Sequence, residues 1–153
     1  MNVSPNPPRV LIVDDEASNI AILDRLFRSE YQTTTATRGD TALKLLDEET
    51  FDLVLLDIMM PQVSGLEVLR HVRQNPRTAE LPVILISARM DENDIVEGLS
   101  IGANDYITKP FRLAELRARA RTQITLKRLQ DERRQTIDGL QAAHEMKDRF
   151  LRI

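Results

Sequence analysis

Four short apolar runs in this chain each stop on a side chain able to do chemistry. Residues 10–13 end on Asp14 and Asp15, residues 53–56 on Asp57, and residues 83–86 on Ser87. Residues 106–107 lead through Thr108 to Lys109. In an open parallel sheet the ligand site lies beyond the carboxyl ends of the strands. The pattern therefore gathers three carboxylates, a hydroxyl and an ammonium into one cleft. Carboxylates a few ångströms apart repel strongly unless a divalent cation sits among them. Such a set suits magnesium-dependent phosphoryl transfer, where positioning and charge neutralisation supply most of the catalysis.

The elements that must position these residues follow from periodicity. Residues 10–13 form a continuous apolar run, as in a strand buried on both faces, and Ile20, Leu23, Leu26 and Phe27 then recur at helical spacing. Residues 33–37 are rich in β-branched side chains and predict a second strand nearer an edge. Ala42, Leu43, Leu45 and Leu46 predict a helix opened by Gly39 and Asp40. Residues 53–56 give a third strand, with Leu66, Leu69 and Val72 on the helix after it. Pro82 precedes a fourth strand at 83–86, and Ile95, Val96, Leu99 and Ile101 predict a helix stopped by Gly102. Residues 106–108 make a fifth strand, and helix follows Pro110. Five β/α repeats imply an α/β fold, a five-stranded parallel doubly wound sheet with helices on both faces.

The remainder differs in character. Residues 112–151 hold no proline and one glycine, Gly139, and are dominated by good helix formers. An unbroken helix there would run about 60 Å, with Leu113 and Leu116 packing on the sheet and the rest projecting. Leu126, Leu129, Ile137, Leu140, Phe150 and Leu151 fall roughly on one side, interrupted by Arg133. This imperfect coiled-coil seam predicts a homodimer through the C-terminal helix. The charge divides the same way. The net −3 combines 18 acids against 10 Lys and Arg in residues 1–111 with 6 acids against 11 bases in residues 112–153. An acidic globule thus carries a basic tail.

Composition narrows the class further. An apolar fraction of 42% supports a packed core. No apolar run approaches the ~18 residues needed to span a bilayer, so no membrane insertion is expected. The first eight residues lack the regions of a signal peptide and read as a disordered lead-in. There is no cysteine, which removes disulfides and thiolate metal sites and fits a cytoplasmic location.

Taken in order, these motifs resemble the receiver domain of two-component response regulators over about residues 9–121, leaving 1–8 as lead-in and 122–153 as a helical extension. The motifs are Asp14-Asp15 after the first strand, residues 57–65 (Asp-Ile-Met-Met-Pro-Gln-Val-Ser-Gly) after the third, Ser87-Ala88 after the fourth and Lys109-Pro110 after the fifth. The resemblance implies a flavodoxin-like receiver fold in which Asp57 accepts a phosphoryl group from a histidine kinase or phosphotransfer protein. It implies that Asp15, Asp57 and the backbone carbonyl of Met59 ligate Mg2+, with Asp14 acting through a metal-bound water. Lys109 would pair with the phosphoryl group and the Ser87 hydroxyl would donate to it. Tyr106 matches the switch aromatic, and the Lys109-Pro110 bond is cis in the family. Pro61 and Gly65 read as shaping the loop, Ser64 as capping the next helix, and Met59 and Arg89 as flanking the site. Phosphorylation would then bias the face made by the fourth helix, fifth strand and last helix, together with the attached tail.

Residues 145–153 resemble the lead-in to the dimerisation helix of sensor histidine kinases, where a Lys-x-x-Phe-Leu segment precedes the phosphoacceptor histidine. This predicts a receiver at the N-terminus of a longer protein with a kinase module after it. His144 lacks the expected surroundings of a phosphohistidine and reads as a solvated helical residue, and His71 has no second ligand in view. Two other readings stay open: a receiver-like module that binds partners without taking phosphate, and the receiver of a DNA-binding regulator. Nucleic-acid binding is not expected, because the tail's bases are interspersed with acids and no helix-turn-helix accompanies them. A multiple-turnover enzyme is not expected either. No phosphate-binding loop of the Gly-x4-Gly-Lys-Ser/Thr type occurs, and Met59 stands where a dehalogenase-type phosphatase wants its second aspartate.

Overall fold

The computed structural model describes residues 6–88 and 92–151, with side chains through Arg149. Residues 1–5 of the expected lead-in, Arg89, and the side chains of Phe150 and Leu151 lie outside the described set. The chain runs β1 (Arg9–Val13), α1 (Ala17–Phe27), β2 (Gln32–Ala36), α2 (Gly39–Glu48), β3 (Leu53–Asp57), α3 (Gly65–Gln74), β4 (Val83–Ser87), α4 (Glu92–Ile101), β5 (Asp105–Thr108) and α5 (Leu113–Leu151). All five strands are parallel, in the order β2-β1-β3-β4-β5. Among the described residues no helix is long and apolar enough to cross a membrane.

The unbroken apolar runs have a direct cause. Successive strand side chains point to opposite faces, and both faces of this sheet are covered. Leu11, Val13, Val54, Leu56, Val83 and Leu85 pack with the layer of α2, α3 and α4. Val10, Ile12, Leu53, Leu55, Ile84 and Ile86 pack with α1 and the first turns of α5. β2 carries threonines because it is an edge, with only Ala36 buried.

Two helices differ from their predicted faces. In α4, Ile95 is buried, but Val96 and Leu99 are 62% and 43% exposed. The helix instead lays Gly98 against the sheet, so closely that a Cβ there would stand 2.3 Å from a Leu85 methyl. In α5, Leu116, Ala120 and Ile124 are buried, whereas Leu113 is 40% exposed. From Leu126 onward the helix leaves the sheet, and Leu126, Leu129, Ile137 and Leu140 are all exposed.

Candidate functional site

The strand register brings the predicted residues together. Val13 pairs with Leu56, so Asp14 follows β1 level with Asp57 at the end of β3. Asp57 pairs with Ile86, which places Ser87 one step further, and Ser87 pairs with Thr108, which places Lys109 just beyond. Lys109 is tied there by its amide, which donates to the Ser87 carbonyl at 2.7 Å. Asp14, Asp57 and Ser87 are the buried polar side chains among the described residues. A fold that buries acids in this way needs a compensating charge close by.

Lys109 supplies part of it. Its ammonium donates to Asp14 Oδ2 at 3.0 Å and to Asp57 Oδ2 at 3.4 Å. The Glu16 amide donates to Asp14 Oδ1, and the Met59 amide donates weakly to Asp57 Oδ1 at 3.3 Å. One cation facing two buried carboxylates leaves a net negative site. Burial, and then the Asp14 charge, push the Asp57 carboxyl from 3.8 up to about 7, against the opposing pull of Lys109. Burial pulls the Lys109 ammonium down, but its hydrogen bond to Asp14 and the two carboxylate charges outweigh it, so its pKa rises. Asp15 sits at the solvent edge, and one oxygen from each of Asp14, Asp15 and Asp57 lies within 4.8 Å of the others. Hard oxygen donors, excess negative charge and an open side fit a magnesium ion.

The loop after β3 is shaped to keep Asp57 in place. Gln62 adopts φ 69°, and Ser64 caps α3 by accepting the Glu67 amide at 3.3 Å. Gly65 opens that helix directly over the strand end: a Cβ there would stand 2.1 Å from the Asp57 carbonyl oxygen. The Lys109-Pro110 bond is cis. Tyr106 lies on the edge strand β5, 39% exposed, and Met59, two residues after Asp57, is exposed. His71 pairs with Asp47, and His144 is exposed on α5.

Sequence periodicity gave no sign of two further features. A groove of about 550 Å³ beside Lys109 is lined by Ile22, Phe111 and Leu113; these residues come from α1 and from the segment after β5, so no single periodic stretch contains them. At the opposite end of the sheet, Arg73 is half-buried and, among the described residues, bonded to neutral acceptors.

A parallel sheet of this strand order, with acidic residues at its carboxyl edge, defines a doubly wound α/β protein of the flavodoxin-like kind. The chain belongs to the response regulator receiver domain family, whose profile matches residues 10–121. It is 41% identical over 118 residues to the phosphate regulon transcriptional regulatory protein PhoB of Rhizobium meliloti (strain 1021), covering 76% of this chain and 52% of that protein. Among solved structures, the receiver domain of Francisella response regulator 1452 superposes with a TM-score of 0.71 at 33% identity, covering 77% of this chain and 97% of that one. The receiver domain of the sensor histidine kinase PA1611 from Pseudomonas aeruginosa PAO1, described with a magnesium ion coordinated in its active site cleft, superposes with a TM-score of 0.72 at 28% identity, covering 78% and 98%. The chain spans about half the length of PhoB, and less than a third of some other curated relatives.

Proposed function

We propose that this receiver domain takes a phosphoryl group onto Asp57 from a phosphohistidine of a kinase or phosphotransfer protein. The observation that carries the reading is the buried Asp14–Lys109–Asp57 cluster opening on Asp15. An Asp57 oxygen attacks phosphorus, the phosphorus–nitrogen bond of the donor breaks, and the imidazole leaves with a proton. Asp15, Asp57 and the Met59 carbonyl would hold magnesium, with Asp14 contributing through water. Bound there, the ion neutralises charge on the phosphoryl oxygens. Lys109 gives a second compact positive charge, and the Ser87 hydroxyl donates to a phosphoryl oxygen. The domain in this reading promotes its own phosphorylation and hydrolysis and turns over no free substrate.

Incubation with magnesium and phosphoramidate tests the reading. One acid-stable, hydroxylamine-sensitive phosphoryl group should appear on the peptide containing Asp57. Lys109→Ala should slow its formation roughly 100-fold, the usual loss when one charge-stabilising donor is removed. A chain that takes up no phosphoryl group and does not bind beryllofluoride with magnesium is instead a binding module.

The tail supports a dimeric output. By helical rotation the exposed seam of Leu126, Leu129, Ile137 and Leu140 lies about 140° from the docked face of Leu116, Ala120 and Ile124. A second copy can therefore pair along the seam without displacing the receiver. We expect a dimer by light scattering and a monomer on Leu140→Asp; a parent chain that stays monomeric at all concentrations removes this part of the reading. In the full reading, phosphorylation biases the face of α4, β5 and α5, where Tyr106 lies, and the tail passes the change to a downstream kinase module in the cytoplasm. The Lys-x-x-Phe-Leu segment of residues 147–151 supports that placement.

A further inference from the structure

Beyond Ile124 the tail helix still meets the receiver through Lys127 and Arg134. Glu80, in the turn before β4, accepts from the Arg134 guanidinium at 2.8 Å and lies 3.9 Å from the Lys127 ammonium. Lys127 in turn binds Asp131 at 2.7 Å. Arg134 is ten residues past Ile124, about 15 Å further along the helix, and Leu151 is about 40 Å past it. A sideways displacement at Arg134 is therefore magnified roughly threefold at the end of the helix.

The turn that carries Glu80 is itself gripped. Arg73 Nη1 donates to the carbonyls of Ala79 and Leu81, the residues on either side of Glu80, at 3.2 and 2.7 Å. The same guanidinium donates through Nε to the Gly102 carbonyl at 2.9 Å and through Nη2 to Asn104 Oδ1 at 2.8 Å. Asn104 Oδ1 also accepts the Val83 amide at 2.9 Å, where β4 begins. One rigid, planar fork thus joins the end of α3, the Glu80 turn and the junction between α4 and β5. A guanidinium surrounded by four neutral acceptors has geometry to satisfy and no carboxylate to neutralise.

We propose that Glu80 is a pin that sets the direction in which the tail helix leaves the receiver, and that Arg73 ties that pin to the α4–β5 junction. The second half rests on the switching proposed above, since it is the α4–β5 face that phosphorylation would move. The pin lies at the end of the sheet remote from Asp57, so the route to the tail runs along the base of the domain as well as along α5.

The chain has no cysteine, so Glu48→Cys and Gln141→Cys give a clean pair of spin-label sites, both exposed. The full chain is diluted with unlabelled protein so that only distances within one copy are read. Glu80→Gln should at least double the width of the 48–141 distance distribution. Glu80→Arg and Arg134→Glu should each do the same, and the two together should restore the narrow distribution. Arg73→Lys, which keeps the charge and loses the fork, should broaden it too, with circular dichroism checking the fold. Single variants as narrow as the parent, or a charge swap that does not restore it, overturn the pin. With magnesium and beryllofluoride the parent's mean distance should shift, and Glu80→Gln should lose that shift. A shift that survives Glu80→Gln overturns the coupling through Arg73. A parent that binds beryllofluoride by fluorine NMR without any shift overturns the coupling and the proposed switching, while the pin is still judged on the variants alone.

Discussion

Asp57→Asn is expected to take up no phosphoryl group and yet, without magnesium at pH 8, to resist urea better than the parent by about 2 kcal/mol. The sign follows from the Asp57 carboxyl, raised from 3.8 to about 7 by burial and by Asp14. A folded-state pKa above the unfolded one means that the fold favours the protonated acid. That contribution is complete below pH 4 and is lost as pH climbs through 7. A full three-unit shift would correspond to about 4 kcal/mol; we halve it because Asp14 and Lys109 share the charge. Asparagine keeps the shape and removes the titration, so its advantage should grow between pH 4 and pH 8 and vanish in acid. Magnesium should narrow or reverse the difference, since a ligand at 100 times its Kd adds about 2.7 kcal/mol to the form that binds it. Urea midpoints of both chains across pH, with and without magnesium, check this. A parent more stable than Asp57→Asn at pH 8 without metal would mean that Lys109 compensates both carboxylates.

Gly65→Ala is expected to cost about 3 kcal/mol and to lower phosphoryl uptake roughly 100-fold. The added methyl meets the Asp57 carbonyl oxygen at 2.1 Å, the Ile58 Cα at 2.8 Å and the Asp57 carbonyl carbon at 2.9 Å. All three are backbone atoms, so no side chain can swing aside; either α3 lifts or the end of β3 shifts, and Asp57 moves with it. Gly139→Ala serves as the control. No atom lies within 4 Å of its would-be Cβ, and it sits mid-helix, so the change should stabilise by about 0.5–1 kcal/mol. Chemical denaturation and the rate of uptake from phosphoramidate separate the two. Equal stability of Gly65→Ala and the parent would show that the α3 start can yield.

The parallel sheet and its cleft were legible in the sequence because burial on both faces writes an unbroken apolar run and the next residue then marks the strand end. Asp14, Asp57, Ser87 and Lys109 could be placed at one edge from that alone. The face of α4 could not, since Val96 and Leu99 read as apolar whichever way they point, while the residue that seats the helix, Gly98, has no side chain to count. Leu113 misled for a related reason: it borders the groove beside Lys109, and only Leu116 and its successors reach the sheet. Arg73 and Glu80 left no trace either, because contacts among a loop, a helix end and a distant tail have no period. Family resemblance supplied what periodicity could not, the assignment of a separate task to each residue of the cleft.

The alternation of strand side chains has a consequence for how such a domain divides labour. Leu53 and Leu55 pack with α1 and α5, so Asp57, two residues on, continues that side of the sheet. Val83 and Leu85 pack with α2, α3 and α4, so Ser87 continues the other. In the proposed switching, the phosphoryl group would therefore be taken up by a residue that continues one layer, and the hydroxyl that would register it continues the other, on the side of α4. The sheet would then act as a partition between inscription and readout. Substitutions packed behind β3 on the α1 side should alter how readily the mark is made, and those behind β4 on the α4 side how faithfully it is read.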